Sequence, residues 1–272
     1  MTDIARLYTE PGTRPLAGTY LAHALRERGT ADAPFVYTNF IASLDGRIAQ
    51  RDAHTGRHGV PRAIANELDW RLYLELAAQA DAVLTSARRL RKLAAIGRTL
   101  RCVADLTARD LAAWRRDRGI PPFPACVLVT ATLDLPFDAM RTLEHDEIAV
   151  LSAAVPTPAQ RRALDDVGAT LIPIAADRVR GRDVVDAARR RGYRTLYSIG
   201  GPNVLRALVA DGVMQRLYLT HAHRLLAGED YATLLSGESL LPPVALRLHE
   251  LYLLAARGDA PQMLFASYDV AR

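Results

Sequence analysis

Residues 195–205 read TLYSIGGPNVL: an apolar, aromatic run that stops on two glycines and restarts, through Pro202, as a helical pattern over 203–210. A strand, a tight turn and a helix follow one another there, the repeating unit of α/β sheets. Gly200 and Gly201 let the backbone come close to a ligand. The helix start that follows offers unpaired N–H groups and a positive dipole end, a setting suited to phosphate. Pro202 fits a first helical turn, where its missing donor costs nothing. The turn lacks the Gly-x-Gly-x-x-Gly of a Rossmann dinucleotide site, and an ordinary βα turn explains Gly-Gly-Pro equally well when it is taken alone.

Working outward from this turn, the same alternation runs back along the chain. Residues 182–191 form an Ala/Arg-rich amphipathic helix closed by Gly192, preceded by apolar runs at 169–174, 148–151 and 126–130. A helical stretch at 106–116 comes before the last of these, and a short buried strand at 80–85 is followed by Ser86, which can cap the next segment. From Pro61 the pattern is helical, with Ile64, Leu68, Leu72 and Leu76 on one face and Arg62, Glu67, Asp69 and Arg71 on the other. Residues 47–61 are polar and read as a mobile loop, and FVYTNFIASLDG at 35–46 reads as a strand entering a turn. Residues 16–28 are helix-like. Downstream, LYLTHAH, VALRLHELYLLA and QMLFASYDV are successive strands without helices between them. The expected fold is therefore α/β: a mostly parallel mixed sheet flanked by helices, with antiparallel C-terminal strands.

The chain has 272 residues, 50% of them hydrophobic and 24% charged, the balance of a globular protein with a sizeable core. No apolar run is long enough for a membrane span, and the N-terminus lacks a basic region followed by an apolar core, so a cytoplasmic protein is expected. Lys92 is the one lysine, and no Gly-Lys-Ser/Thr phosphate loop exists. Cys102 and Cys126 form no Cys-x-x-Cys, which excludes a zinc ribbon or a thioredoxin-type pair but leaves room for one disulfide. The net charge of +5 comes from basic residues interleaved with acids, so no nucleic-acid partner is expected.

Several residues can carry chemistry. Thr85 and Ser86, followed by Arg88, Arg89 and Arg91, place hydroxyls and guanidiniums at a strand end, where they suit a dinucleotide phosphate or simply form a solvated helix face. In open α/β sheets ligands bind beyond the carboxyl ends of the strands, and Asp45, Thr85 and Gly200 all lie at such ends. Asp45 can hold a polar substrate or cap its own turn. His58 is the better proton-donor candidate if the polar loop closes over a ligand, and His54 lies in the same loop. His221 and His223 share a strand face, but no third ligand is spaced to complete a metal site. There is no Gly-x-Ser-x-Gly elbow.

Taken in order, residues 40–49 (FIASLDGRIA), residues 80–86 (ADAVLTS) and Gly200-Gly201-Pro202 with Leu205 and Gly212 resemble the riboflavin-biosynthesis pyrimidine reductases, the C-terminal reductase domains of the bifunctional deaminase-reductase. The resemblance covers about residues 34 to 270, which makes 1–33 an N-terminal extension and 34–272 a dihydrofolate reductase-like reductase domain. No deaminase signature accompanies it. The resemblance implies a homodimer that binds NADPH and transfers hydride to a ribosylamino carbon of a small pyrimidine. Asp45 and His58 are the catalytic candidates. The resemblance puts Ala42 and Ser43 against the nicotinamide, Thr85, Ser86 and Arg89 beside the cofactor, and Gly200, Gly201, Pro202, Asn203, Val204 and Leu205 at its pyrophosphate. The chain departs from the family on the substrate side. Ile199 stands where a Glu is common, Ala77 where an Arg binds substrate, and Lys92-Leu93-Ala94-Ala95 where Asp-Asp-Pro closes over the ligands. Arg98 or Arg101 are the available substitutes for those charges.

Overall fold

The computed structural model describes residues 2–52, 55–56, 58–95, 108–141, 147–256 and 262–271. His54, Arg98, Arg101 and Cys102 lie outside the described residues. In chain order the elements are β1 (Asp3–Tyr8), β2 (Gly12–Pro15), β3 (Phe35–Ser43), β4 (Ala49–Arg51), β5 (His58–Gly59), α1 (Glu67–Ala78), β6 (Ala82–Ser86), α2 (Ala87–Ala94), α3 (Arg109–Arg116), β7 (Ala125–Thr130) and α4 (Phe137–Met140). There follow β8 (Ile148–Ser152), α5 (Pro158–Asp166), β9 (Ala169–Pro173), α6 (Gly181–Arg190), β10 (Thr195–Ser198), α7 (Pro202–Ala210), β11 (Arg216–Ala222), β12 (Tyr231–Ala232), β13 (Leu246–Leu254) and β14 (Met263–Val270).

Among the described residues one sheet of 11 strands runs β2-β1-β13-β14-β11-β3-β10-β6-β7-β8-β9. From β11 to β9 every pairing is parallel, and from β11 outward through β14, β13 and β1 every pairing is antiparallel. The parallel strands are mostly apolar because helices cover both faces. On one face Tyr37, Val83 and Tyr197 meet Leu72 and Leu76 of α1 and Leu90 of α2. On the other, Val36, Leu84 and Leu196 meet Val184 and Val185 of α6 and Leu205 and Leu208 of α7. Cys126 is buried in β7, and burial pushes its thiol up to about 12. No helix among the described residues is long and apolar enough to cross a membrane.

Three local expectations are corrected. Helix α1 begins at Glu67 rather than near Pro61, because Asn66 accepts the Leu68 N–H at 2.7 Å and caps the helix there. Pro61 heads a turn instead, its carbonyl accepting from Ile64 and Ala65. The 47–61 segment contributes β4 and β5, which join β12 in a small antiparallel sheet. Its strands of two or three polar residues carry no alternating pattern. The helix-like 16–28 stretch is two short 3₁₀ turns, Leu21–His23 and Leu25–Glu27, broken at Ala24 where φ is +47°. Side chains of α1 and of the residue that ends it satisfy the segment's backbone: Glu75, fully buried, accepts from Gly18 N–H at 2.6 Å and Tyr20 N–H at 2.9 Å, and Gln79 accepts from Leu25 N–H at 2.9 Å. The first 33 residues thus supply β1 and β2 at the sheet edge and bury Ile4, Leu16, Tyr20 and Leu25 in the core.

Candidate active site at the strand ends

Strand β10 lies between β3 and β6, with Ser198 level with Thr38 on one side and Leu84 on the other. Its continuation is held by the Ile199 N–H donating to the Leu84 carbonyl at 2.8 Å. A Cβ at Gly200 would sit 2.5 to 2.8 Å from the side chain of Val204, so only glycine lets α7 fold back this closely. Gly201, the residue before the helix, has φ +84° and ψ −174°, a conformation essentially reserved for glycine. It provides no side-chain cap, and Pro202 follows it. By position the N–H groups of Asn203 and Val204 have no partner within α7. Leu205 N–H is already bonded to the Gly201 carbonyl at 3.0 Å, and the side chains of Val204 and Leu205 are buried in the core. Only the backbone of Gly200, Gly201, Asn203 and Val204 is therefore left available to a ligand here. Asn203 also accepts from Ser236 Oγ at 2.5 Å, at one end of a groove of about 520 Å³ that Arg178, Arg180, Arg182 and Arg206 line.

At the end of β3, Ala42 and Ser43 are buried. Ser43 Oγ donates to Asp45 Oδ1 at 2.5 Å, and the same carboxylate accepts from the Arg47 guanidinium at 2.5 Å and from the Ala227 and Leu226 N–H groups at 2.9 and 3.2 Å. The Ser43 bond, reinforced by these amides and by Arg47, lowers the Asp45 carboxyl to about 2. Asp45 therefore acts as an acceptor that moors the turn after β3 to residues 226–227. His58 is exposed on β5, with Nε2 3.0 Å from Asp230. Each of the two residues leans on the 226–230 segment through its own partner.

At the end of β6, Ser86 caps α2 by accepting the Arg89 N–H at 3.3 Å. Thr85 is fully buried and its Oγ1 has no hydrogen-bond partner, and the buried Nε of Arg89 is likewise unpaired. Arg88 is exposed. Ile199 and Ala77 are both buried, Ala77 completely, so neither position presents a polar group to a ligand. Leu93 packs against the core. His221 is held below its usual range by burial and then by His223, which itself bonds Gln262 at 2.9 Å.

One residue read from the sequence as belonging to the outer face of α1 points inward. Asp69 shares a stripe with Leu72 and Leu76, three and seven residues on, and receives a 2.5 Å hydrogen bond from Thr220 Oγ1 of β11. Thr220 is level with Ile41 of β3, one residue before Ala42. Burial pushes the Asp69 carboxyl up to about 6, against the pull of the Thr220 bond. Beside it, Tyr197 donates to Asn39. The 69/72/76 spacing was the available signal. It was obscured because a carboxylate in a first helical turn usually faces solvent and the helix dipole.

The model of the family described as RibD C-terminal domain matches residues 34–257. The chain belongs to that family. A relative of the RibD C-terminal domain chain is the 2,5-diamino-6-ribosylamino-4(3H)-pyrimidinone 5′-phosphate reductase of Archaeoglobus fulgidus, 25% identical over 210 residues that cover 76% of this chain and 89% of the relative. Among solved structures, a pyrimidine reductase-like protein from Corynebacterium diphtheriae superposes with a TM-score of 0.66 at 20% identity, covering 88% of this chain and 92% of that one. The riboflavin biosynthesis reductase Rib7 of Saccharomyces cerevisiae superposes with a TM-score of 0.55 at 15% identity, covering 93% and 99%. The mostly parallel mixed sheet with antiparallel C-terminal strands is the α/β architecture expected from the sequence.

Proposed function

We propose that the chain is an NADPH-dependent reductase of riboflavin biosynthesis, acting on a ribosylaminopyrimidine 5′-phosphate of the kind that its Archaeoglobus relative is named for. The observations that carry this reading are the uncapped start of α7 behind Gly200 and Gly201, and the unpaired Thr85 Oγ1 and Arg89 Nε at the end of the neighbouring strand β6 and the start of α2. Buried polar atoms without partners are rare in folded proteins, and a phosphate-rich ligand at the strand ends satisfies them. The residues present therefore fit a dinucleotide. A reduced nicotinamide held against Ala42 and Ser43 supplies hydride.

The chain's own work is positioning and exclusion of water. Gly201, Asn203 and Val204 offer amides to the diphosphate, and Arg88 or Arg89 pairs with the 2′-phosphate. Asp45, an ionised acceptor, fixes the end of β3 through Ser43 and holds residues 226–227 over it. His58 stands at the solvent edge as the candidate proton donor. The same reading makes the protein a cytoplasmic homodimer, which light scattering on the purified chain tests.

Calorimetric titration with NADPH and NADH tests the cofactor. NADPH binds more tightly than NADH, and the Arg88→Ala and Arg89→Ala variants narrow the gap. Equal affinity for both, or no heat with either, overturns the assignment. Ile199 and Ala77, apolar and buried on the substrate side, favour a second reading, a reductase of another small carbonyl or imine. Turnover of a panel of pyrimidine, pterin and simple imine substrates separates the two.

A further inference from the structure

We propose that His23, His249 and Glu250 form a site for one divalent transition-metal ion of the zinc class, which pins the N-terminal segment to strand β13. One ligand atom from each of the three side chains lies within 4.8 Å of the other two, and no other such trio comes together among the described residues. The inference does not depend on the reductase reading.

A bulge assembles the trio. Strands β13 and β14 pair Leu248 with Tyr268 but Glu250 with Ser267, so the register slips at His249. In a regular strand neighbouring side chains point to opposite faces, and a bulge re-aims one of them. His249 and Glu250 consequently both meet His23, which ends the first 3₁₀ turn. The His249 ring stands edge-on to the His23 ring at 5.9 Å, and Glu250 Oε2 lies 2.7 Å from His23 Nε2.

Two buried atoms point to a missing partner. His23 Nδ1 is 2.8 Å from the Tyr218 hydroxyl, whereas its Nε2, although close to the Glu250 carboxylate, is not aligned with it as a hydrogen bond and has no other partner. With Nδ1–H donating to Tyr218, Nε2 turns a lone pair toward a carboxylate oxygen, an arrangement that a bound cation relieves. Ser267 is level with Tyr218 on one side and Glu250 on the other, is 2% exposed, and has an Oγ without a partner. Cross-strand partners share a face, so this hydroxyl belongs to the same polar layer, where solvent held by an ion satisfies it.

Two imidazoles and one carboxylate, without a thiolate, are a donor set for zinc with a position left for solvent. Burial holds both imidazoles below their usual range, in the neutral form that ligates. Asp269 Oδ2 stands 3.6 Å from His249 Nδ1, and a carboxylate behind a histidine orients it as a ligand. The nearby cations are engaged elsewhere or lie further out: Arg6 bonds Glu250 Oε1 at 2.5 Å, Arg216 Nε bonds Asp269 Oδ1 at 2.8 Å, and Arg28 acts on His23 through its charge alone. Glu250 Oε2, shared with the Tyr252 hydroxyl, is the oxygen that faces the ion.

The test titrates the chelator-stripped chain with Zn²⁺ by calorimetry and with Co²⁺ by visible absorption, which reports ligand-field bands. The wild type takes up one ion per chain, melts several degrees higher with zinc, and becomes slower to cleave within residues 1–28. His249→Ala, a change at a partly exposed bulge, loses the cobalt bands and about 100-fold or more in zinc affinity, while its metal-free melting midpoint stays near that of the wild type. Tyr218→Phe, which removes the hydroxyl behind His23, costs about 10- to 100-fold. His249→Cys keeps a ligand at the bulge, so it still binds and adds a thiolate-to-cobalt charge-transfer band. His223→Ala leaves binding unchanged. Absence of saturable zinc uptake by the wild type, equal affinity in His249→Ala, or a His249→Cys chain that binds cobalt without the charge-transfer band overturns the proposal. Each of these results leaves the reductase assignment to its own cofactor titration.

Discussion

Replacing Asp69 by Asn should make the protein more stable at neutral pH. The carboxyl rises from 3.8 to about 6 on folding, about two units, because burial penalises the ionised form. At 1.36 kcal/mol per unit this is about 3 kcal/mol, and partial exposure of the side chain brings the expected cost to about 2 kcal/mol. A group whose folded value is raised contributes no penalty below its unfolded value and the full penalty above its folded one. The wild type therefore loses stability relative to Asp69→Asn as pH rises from 4 to 6, and the difference is constant above 7. Asn retains an oxygen for Thr220, so the hydrogen bond survives. Urea denaturation of both proteins at half-unit steps from pH 4 to 8 measures the difference directly. For a chain of this size the gain corresponds to a rise of about 4–8 °C in melting temperature. An Asn variant less stable than the wild type at pH 7, or a difference that does not change with pH, would refute the reasoning.

Other outcomes follow from the same structure. Gly201→Ala puts a side chain on a backbone at φ +84°, costs about 1–3 kcal/mol by thermal melting and weakens NADPH binding; unchanged affinity removes the turn from the cofactor site. Asp45→Asn raises KM more than it lowers kcat, since the carboxylate positions the β3 end rather than moving a proton. Its folded value near 2 means that the wild-type tie is intact above pH 4 and lost only as pH falls through 2, which limited proteolysis around residue 226 reports. Glu75→Ala strips the buried acceptor of Gly18, Tyr20 and Arg71 and costs about 3 kcal/mol, read from the urea midpoint.

The parallel half of the sheet was legible because its strands are short apolar runs separated by turn and cap residues. Ser86 and Gly201 mark the two helix starts that matter most. The antiparallel end was legible from three long strands in succession. The small sheet of β4, β5 and β12 was not, because two or three residues pair through backbone groups alone, as in Ile48 N–H to the Ala232 carbonyl at 2.9 Å. The proposed cofactor side of the site is read from glycines and hydroxyls at strand ends. The inward turn of Asp69 is not, because it meets Thr220 across 151 residues of sequence, a contact that no local spacing encodes.

Glu75 ties helix α1 to the segment that precedes it in the chain. The family match begins at residue 34, yet the carboxylate in the middle of α1 is saturated by amides from before it, at positions 18 and 20. The helix whose first turn carries Asp69 is thus braced from outside the family's shared core. A chimera that grafts a relative's leading segment onto this body must supply acceptor-seeking amides at the same height. Otherwise the helix keeps a buried carboxylate answered by Arg71 alone.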